Sequence, residues 1–386
     1  MTLWIQRWCD LPEEVWTEIF SWVPPDSLIR SKCVSKSWYS LINSLIKSPD
    51  FVNKHLRNID KNVLSSTSTC LVFCCVSFAC GWQDLYKSVT VLHDHHNSKG
   101  NRREEHNCED FRLPNLSGKL NLALANRSHC DGIICLANYK TLVLCNPAIN
   151  ESRILPKPCI ERRGFVSLGV VLGYDSRAND YKVVRFGHNR LIRDQSESFK
   201  IRAEVYSLRS DSWKEIRVQL ELDCYPHAGK GIFCKGAFYW HLQTHNTIVS
   251  FNMFDEVFRS ALLPNNLLVE RRDHLIQLTV WNESVALFIF PQIEAVTKCI
   301  EVWVTDGPCS WIKKLTIRPP VDVAFPVAFL KNDEVLMKAN RRRFVLYNIH
   351  SQMLSEFTFA ENTAPDWDFS YVRSLVSVQG GNQSRS

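Results

Sequence analysis

Residues 10–51 read DLPEEVWTEIFSWVPPDSLIRSKCVSKSWYSLINSLIKSPDF, and the period of their apolar positions sets the architecture. Asp10 is a candidate N-cap, Pro12 suits a first helical turn, and Glu13 stands three residues after the cap as its capping-box partner. Val15, Ile19, Trp22 and Val23 then recur at helical spacing. Pro24-Pro25 must end that helix, because neither proline has an N–H and each disfavours helix in the residue before it. Asp26 can cap a second short helix carrying Leu28, Ile29 and Cys33, and Ser35 or Ser37 can start a third with Trp38, Leu41, Ile42 and Leu45. Leu11, Val15, Trp16, Ile19, Leu28, Ile29, Val34, Trp38 and Leu41 are too many for one small interior. Burying one large apolar side chain is worth roughly 1.5–3 kcal/mol, and a unit this small is marginal alone. Part of the apolar surface is therefore expected to meet another protein or the rest of the chain. A helical lid on a larger core is the blander alternative.

The whole chain has 386 residues, so two domains are the default. Its 45% apolar and 22% charged content is ordinary for a soluble globular protein. The start, MTLWIQRWCDLPEE, has no basic segment leading into an apolar run, which argues against secretion. The most apolar stretch, Cys70 to Trp82, is 13 residues, too short to cross a bilayer as a helix. Fifteen cysteines are scattered through apolar segments such as LVFCCVSF and GIICLA. They read as reduced, buried, small hydrophobes of a cytoplasmic or nuclear protein. Cys70, Cys74, Cys75 and Cys80 lack the paired spacing of a zinc site. A net charge of +6 is modest and does not by itself imply nucleic acid.

After a linker helix over 51–64 the texture changes to short apolar or alternating runs punctuated by Asn, Asp, Gly and Pro, which is strand-and-turn composition. The stretch 93–110 is polar and reads as an exposed loop. GIICLANYKTLVLCNPAINESRILP is strand, turn, strand, strand; KGIFCKGAFYWHLQTHNTIVSFNMFDEVFRSALLP repeats that course with an extra strand in front, and NDEVLMKANRRRFVLYNIHSQMLSEFTF repeats it again. A period of about 45 to 60 residues suits the blades of a β-propeller. Trp213 and Trp311 fall at equivalent places just before an outer strand, where a ring can pack on the adjacent blade. The expectation is an α+β multidomain chain: three helices over 8–50, a linker helix over 51–64, an all-β propeller of about six blades over 65–380, and a disordered tail over 381–386. Phe369 to Val378 is the candidate for closing the first blade.

Two resemblances sharpen this. LPEEVWTEIFSWVPPDSLIRSKCVSKSW resembles an F-box, by its Leu-Pro with acidic residues, its proline break, and its Lys-Cys-Val-Ser-Lys before a Trp. The resemblance implies docking on a Skp-type adaptor, and through it on a cullin and a RING protein. The implied contact residues are Leu11, Pro12, Ile19, Leu28, Cys33, Val34 and Trp38. The chain departs from the usual pattern at Ser31 and Trp22. GYDSRANDYKVVRF followed by VYSLRSDSWKEI, with NPAINESRILP and DFSYVRSLVSV, resembles the kelch-like F-box-associated domain of plant F-box families, most of all the S-locus F-box proteins. That implies recognition of non-self S-ribonucleases in pollen self-incompatibility, with the cargo sent for ubiquitination and degradation.

No P-loop, GxGxxG after a strand, GxSxG or HExxH is present, and the carboxylates are dispersed, so no catalytic group, metal or cofactor is expected. His93, Asp94, His95 and His96 are metal-capable but read as a solvated loop. In a propeller the connectors between blades and the loops between second and third strands share one face. Arg162, Arg163, Arg271, Arg272 and Arg318 fall in such connectors, and Arg341, Arg342 and Arg343 in such a loop. Arginine is common in exposed turns; the sharper expectation is a cargo face that prefers acidic patches, in tension with the basic character of S-ribonucleases. The alternatives are an F-box receptor for another regulatory or immune protein, and a kelch-like binding module or enzyme outside the ubiquitin pathway. The latter needs exposed aromatics at a funnel, whereas Tyr239, Trp240 and His241 read as core. A nucleic-acid-binding role is disfavoured by the absence of interleaved aromatics.

Overall fold

The computed structural model describes residues 11–65, 68–77, 83–92, 107–110, 126–137, 141–160, 165–189, 199–222, 231–242, 247–263, 274–291, 299–306, 310–319, 322–330, 333–339, 343–358 and 363–380. Four helices open it. Helix α1 spans Glu13–Phe20, and Pro12 itself is the N-cap residue, with no side-chain cap bond. The capping box from Asp10 lies outside the described residues; Glu13 and Glu14 instead place negative charge in the first turn, where the helix dipole favours it. Helix α2 spans Pro25–Ser31 and starts on a proline whose missing N–H would be an orphan in any case. Asp26 is therefore not its cap. Helix α3 spans Lys36–Leu45 and is capped by Ser35, whose Oγ accepts the Trp38 N–H at 3.1 Å.

Helix α4 spans Pro49–Ser65, starting inside the span expected for the three-helix unit. It is a packed part of both halves of the molecule, which corrects its reading as a linker. Phe51 and His55 are buried, and Asn58 donates through Nδ2 to the Ser21 carbonyl at 3.3 Å and to Ser21 Oγ at 2.9 Å. Val52 and Leu56 lie against the β core. The helical interior is Phe20, Leu28, Ile42, Leu45 and Phe51, joined by Leu375 from the far end of the chain.

The strands form antiparallel sheets that follow one another along the chain. Five sheets are each built from consecutive strands. Sheet 2 runs Asn126–Cys130, Ile133–Ala137, Leu142–Asn146, Glu151–Ile154; sheet 3 runs Phe165–Asp175, Asp180–Asn189, Phe199–Ser207, Ser212–Ile216, with Glu221–Leu222 added. Sheet 4 runs Ile232–Cys234, Ala237–Leu242, Thr247–Asn252, Val257–Leu262; sheet 5 runs His274–Trp281, Ser284–Pro291, Ile300–Thr305, Trp311–Ile317; sheet 6 runs Phe325–Phe329, Glu334–Lys338, Arg343–Asn348, Leu354–Thr358. Sheet 1 is composite: Ser68–Ser77, Gln83–Leu92 and Asn107–Asp110 are completed by Thr363–Ser370, which pairs with the first of them. About six blades were expected; this is corrected to five blades, each built from consecutive strands, because the remaining sheet is a composite of the two ends of the β region. The closing strand is also earlier than Phe369–Val378, because residues 371–380 leave the ladder and cross sheet 2.

Sheets 2 to 6 bury apolar faces against their neighbours. Leu144 and Leu155 of sheet 2 meet Leu172, Tyr206 and Trp213 of sheet 3; Val184 and Phe186 meet Trp240 and Phe251 of sheet 4. Phe288 and Val302 of sheet 5 meet Val335 and Met337 of sheet 6. Trp213 packs as expected and donates its indole N–H to the Pro156 carbonyl at 2.9 Å in the preceding connector. Trp240 is 2% exposed and His241 buried, so these residues are core. Cys135, Cys145 and Cys234 are buried thiols as expected, whereas Cys33 and Cys159 are exposed.

Candidate adaptor and substrate interfaces

The helical unit holds its shape with three rings. Trp16 lies 5.5 Å from Phe20 and 4.9 Å from Trp38, and Phe20 lies 5.1 Å from Trp38, the last two pairs edge-on as the ring quadrupoles prefer. With Trp16 and Phe20 turned inward, another side of α1 carries Val15 and Ile19, and Trp22 follows in the turn after it, at spacings of four and three. They are 40%, 39% and 43% exposed. Val34, at 66%, and Tyr39, at 58%, are the other large apolar side chains that the helical unit exposes. Glu18 accepts from the Trp22 indole at 3.1 Å and pairs with Lys54, which holds its carboxyl below the usual range.

The expected contact residues divide by burial. Pro12, Ile19, Cys33 and Val34 lie on the surface, and Leu11 and Trp38 are half-buried. Leu28 is wholly buried in the helical interior. It can shape an interface but cannot touch a partner, and that corrects its place in the set. Val15, Trp22 and Tyr39 belong to the exposed surface and were missed; the 15/19/22 spacing is the signal that marks the first two.

The hairpin turns of sheet 2 point toward the helices: Pro147–Ile149, a 3-10 turn between its third and fourth strands, packs on α2. Loops between second and third strands, and connectors between sheets, leave from the other ends of the strands. Of the expected arginines, Arg318 and Arg343 lie among the described residues. Arg318 is exposed. Arg343 opens a strand and pairs with Glu356 across the sheet at 3.5 Å, so its charge is already engaged and it drops from the free set. Arg162, Arg163, Arg271, Arg272, Arg341 and Arg342 lie outside the described residues, as do His93, Asp94, His95 and His96. Among the described residues no group of three or more His, Cys, Asp or Glu side chains could hold a metal, and no helix is long and apolar enough to cross a membrane.

The molecule joins a helical unit that exposes apolar side chains to a succession of antiparallel sheets. The comparisons agree. A family profile described as the F-box associated beta propeller domain matches residues 84–378, and one described as the F-box domain matches residues 8–48. The chain belongs to the F-box proteins with an F-box-associated β-propeller. Similar curated proteins are F-box proteins of Arabidopsis thaliana. One is 28% identical over 85% of this chain and 85% of its own length. F-box protein CPR1 is 26% identical over 89% and 83%, and F-box/WD-40 repeat-containing protein 1 is 27% identical over 85% and 76%.

Proposed function

We propose that this chain is the substrate-recognition subunit of a Skp–cullin–F-box ubiquitin ligase. The observation that carries the reading is the Val15–Ile19–Trp22 stripe with Val34 and Tyr39, an exposed apolar surface on the F-box at the end remote from the sheet connectors. A Skp-type adaptor covers it, and through that adaptor come the cullin and the RING protein. The receptor itself needs no catalytic group: the conjugating enzyme carries the chemistry, and the receptor raises the effective concentration of cargo lysines near it. The ring of sheets acts as one closed propeller that presents cargo-binding loops, in the cytoplasm or nucleus where the ligase works. Pull-down of the full chain with a Skp-type adaptor tests the first half; loss of the adaptor in Ile19→Asp, with the fold intact, is the expected result.

For the second half, exposed Arg318 and the arginines at 162, 163, 271, 272, 341 and 342 favour cargo with acidic surface patches. The S-locus resemblance nominates non-self S-ribonucleases, whose basic character that charge opposes. Capture of an S-ribonuclease that strengthens when Arg162, Arg163, Arg271 and Arg272 become Glu supports the ribonuclease cargo; capture of acidic cargo that weakens in the same variant supports the arginine face.

A further inference from the structure

The segment after the closing strand runs across the F-box and sheet 2 together. Arg373 pairs with Asp26 of α2, and Leu375, 1% exposed, completes the F-box interior beside Phe20 and Leu28. Its alternate side is tied to the ring. Asn146, fully buried, donates through Nδ2 to the Ser374 carbonyl at 3.2 Å and the Val376 carbonyl at 2.8 Å. Ser374 Oγ donates to the Asp131 carbonyl. Glu151 accepts from Ser377 Oγ at 2.7 Å and the Val378 N–H at 3.0 Å, and Val376 and Val378 enter the core between sheets 2 and 3. The same residues that follow ring closure therefore fill the helical unit from below.

The turn Asp131–Gly132 makes room for it. Gly132 has φ +79°, and a Cβ there would stand 2.5 Å from Ser374 Oγ and 2.8 Å from the Val372 carbonyl. The equivalent turn of sheet 4, Lys235–Gly236, also has φ +79° at its glycine, but a Cβ there meets only the Phe254 ring, at 2.6 Å. Backbone strain is shared by the two glycines, and crowding of the C-terminal segment belongs to Gly132 alone.

We propose that residues 371–379 are a clamp that fixes the F-box against the propeller, so that Leu375, Ser374, Asn146 and Gly132 are positioning residues for ubiquitin transfer. The transfer part rests on the receptor reading above; the clamp itself does not. Ubiquitin transfer depends on the distance between the charged conjugating enzyme and the cargo lysine, and a loose joint spreads that distance over a larger volume. Sequence position adds to the coupling: the residues that reach the helices follow directly on Thr363–Ser370, the strand that completes sheet 1.

The test places a fluorophore pair at exposed Lys47 of the F-box and exposed Lys314 of sheet 5 in the full chain, using site-specific unnatural amino acids. The native chain gives one narrow distance distribution. Gly132→Ala and Leu375→Ala broaden it, and Gly236→Ala, which carries the same turn strain, leaves it narrow. In the reconstituted ligase the auto-ubiquitination of exposed Lys214, Lys235, Lys313 and Lys314 serves as the transfer probe. The native chain modifies a restricted set, and the two clamp variants spread modification to the others at unchanged adaptor affinity. An unchanged distance distribution in both clamp variants, or equal broadening by Gly236→Ala, overturns the proposal. Failure of the native chain to bind any Skp-type adaptor sinks the receptor reading instead, and leaves the distance comparison to decide the clamp.

Discussion

The helical unit and the ring solve the same problem of apolar excess in opposite ways. In the ring, sheets hide each other: Leu144, Leu172, Val184, Phe251, Phe288 and Val335 are at or near zero exposure, and exposed apolar residues such as Ile154, Val257, Leu262 and Ile312 sit on outer, fourth strands. The ring even buries charge, with Arg185 at 7% and Glu204 at 0% joined at 2.6 Å, and Lys182 held at 2.7 Å from Asp175. The F-box has a small interior, Phe20, Leu28, Ile42, Leu45 and Phe51 with Leu375, and it leaves Val15, Ile19, Trp22, Val34 and Tyr39 in water. Exposed apolar residues set at helical spacing on the small unit, against ones distributed over several sheets of the ring such as Phe233, Leu262 and Ile312, are what mark a docking face.

The largest expected break of that contrast is in the ring. Arg185→Met strands the Glu204 carboxylate, which then keeps only backbone donors such as the Ile160 N–H at 2.9 Å, and whose pKa burial already raises. Removing one partner of a buried pair costs about 3–5 kcal/mol. Denaturant unfolding of the propeller shows that loss, and adaptor affinity stays unchanged. An effect below about 1 kcal/mol would mean that Glu204 is hydrated in solution.

Within the F-box, two apolar residues that sequence alone puts in one contact set should part company. Leu28→Ala leaves a cavity and costs about 2–5 kcal/mol of stability. Ile19→Ser stays within about 0.5 kcal/mol in stability, as surface changes do. Its effect appears in adaptor affinity, at least tenfold weaker, or about 1.4 kcal/mol. Thermal unfolding and calorimetric titration together separate them. If both variants lose only stability, the exposed stripe is not the docking face.

The contrast also marks what could be read from the chain. Helices and strands were legible because their signals are local: Pro24-Pro25 stops a helix, Ser35 caps one, and Asp131–Gly132 has the two-residue chemistry that a hairpin turn requires. The pattern of an apolar strand ending in Asn-Pro likewise located the third strand of sheet 2, though not the 3-10 turn after it. Burial within the F-box was not legible, since Leu28 and Ile19 have the same chemistry and differ only in what packs over them. The use of residues 371–380 was hidden for a related reason. Leu375, Val376 and Val378 alternate like a strand, and only the tertiary position of Asn146 and Gly132 pulls them off the ladder and across the F-box. Asp26 misled for the same cause: as a polar residue after prolines it looks like a cap, yet Arg373 takes its carboxylate.

The smallest effect is a titration. His55 is fully buried in α4, its Nε2 lies 2.8 Å from the Val23 carbonyl, and its Nδ1 has no partner among the described residues. Burial lowers its pKa, since a proton on Nδ1 would put an uncompensated charge between helices. The unfolded chain, with an ordinary histidine near pKa 6.5, then binds more protons than the folded one below that pH. Stability rises with pH wherever that holds, so this contribution is complete above about pH 6.5 and is lost as pH falls below it, by at most about 1.4 kcal/mol per pH unit. His241 of sheet 4 is shifted the same way by burial, so whole-molecule unfolding would add the two. Hydrogen exchange resolves them: protection of α1 and α4 amides falls between pH 7 and pH 5, and in His55→Gln, whose amide can still donate to the Val23 carbonyl, the fall in those helices disappears. Retention of the full pH slope in that variant would assign the acid sensitivity to the ring rather than to the F-box.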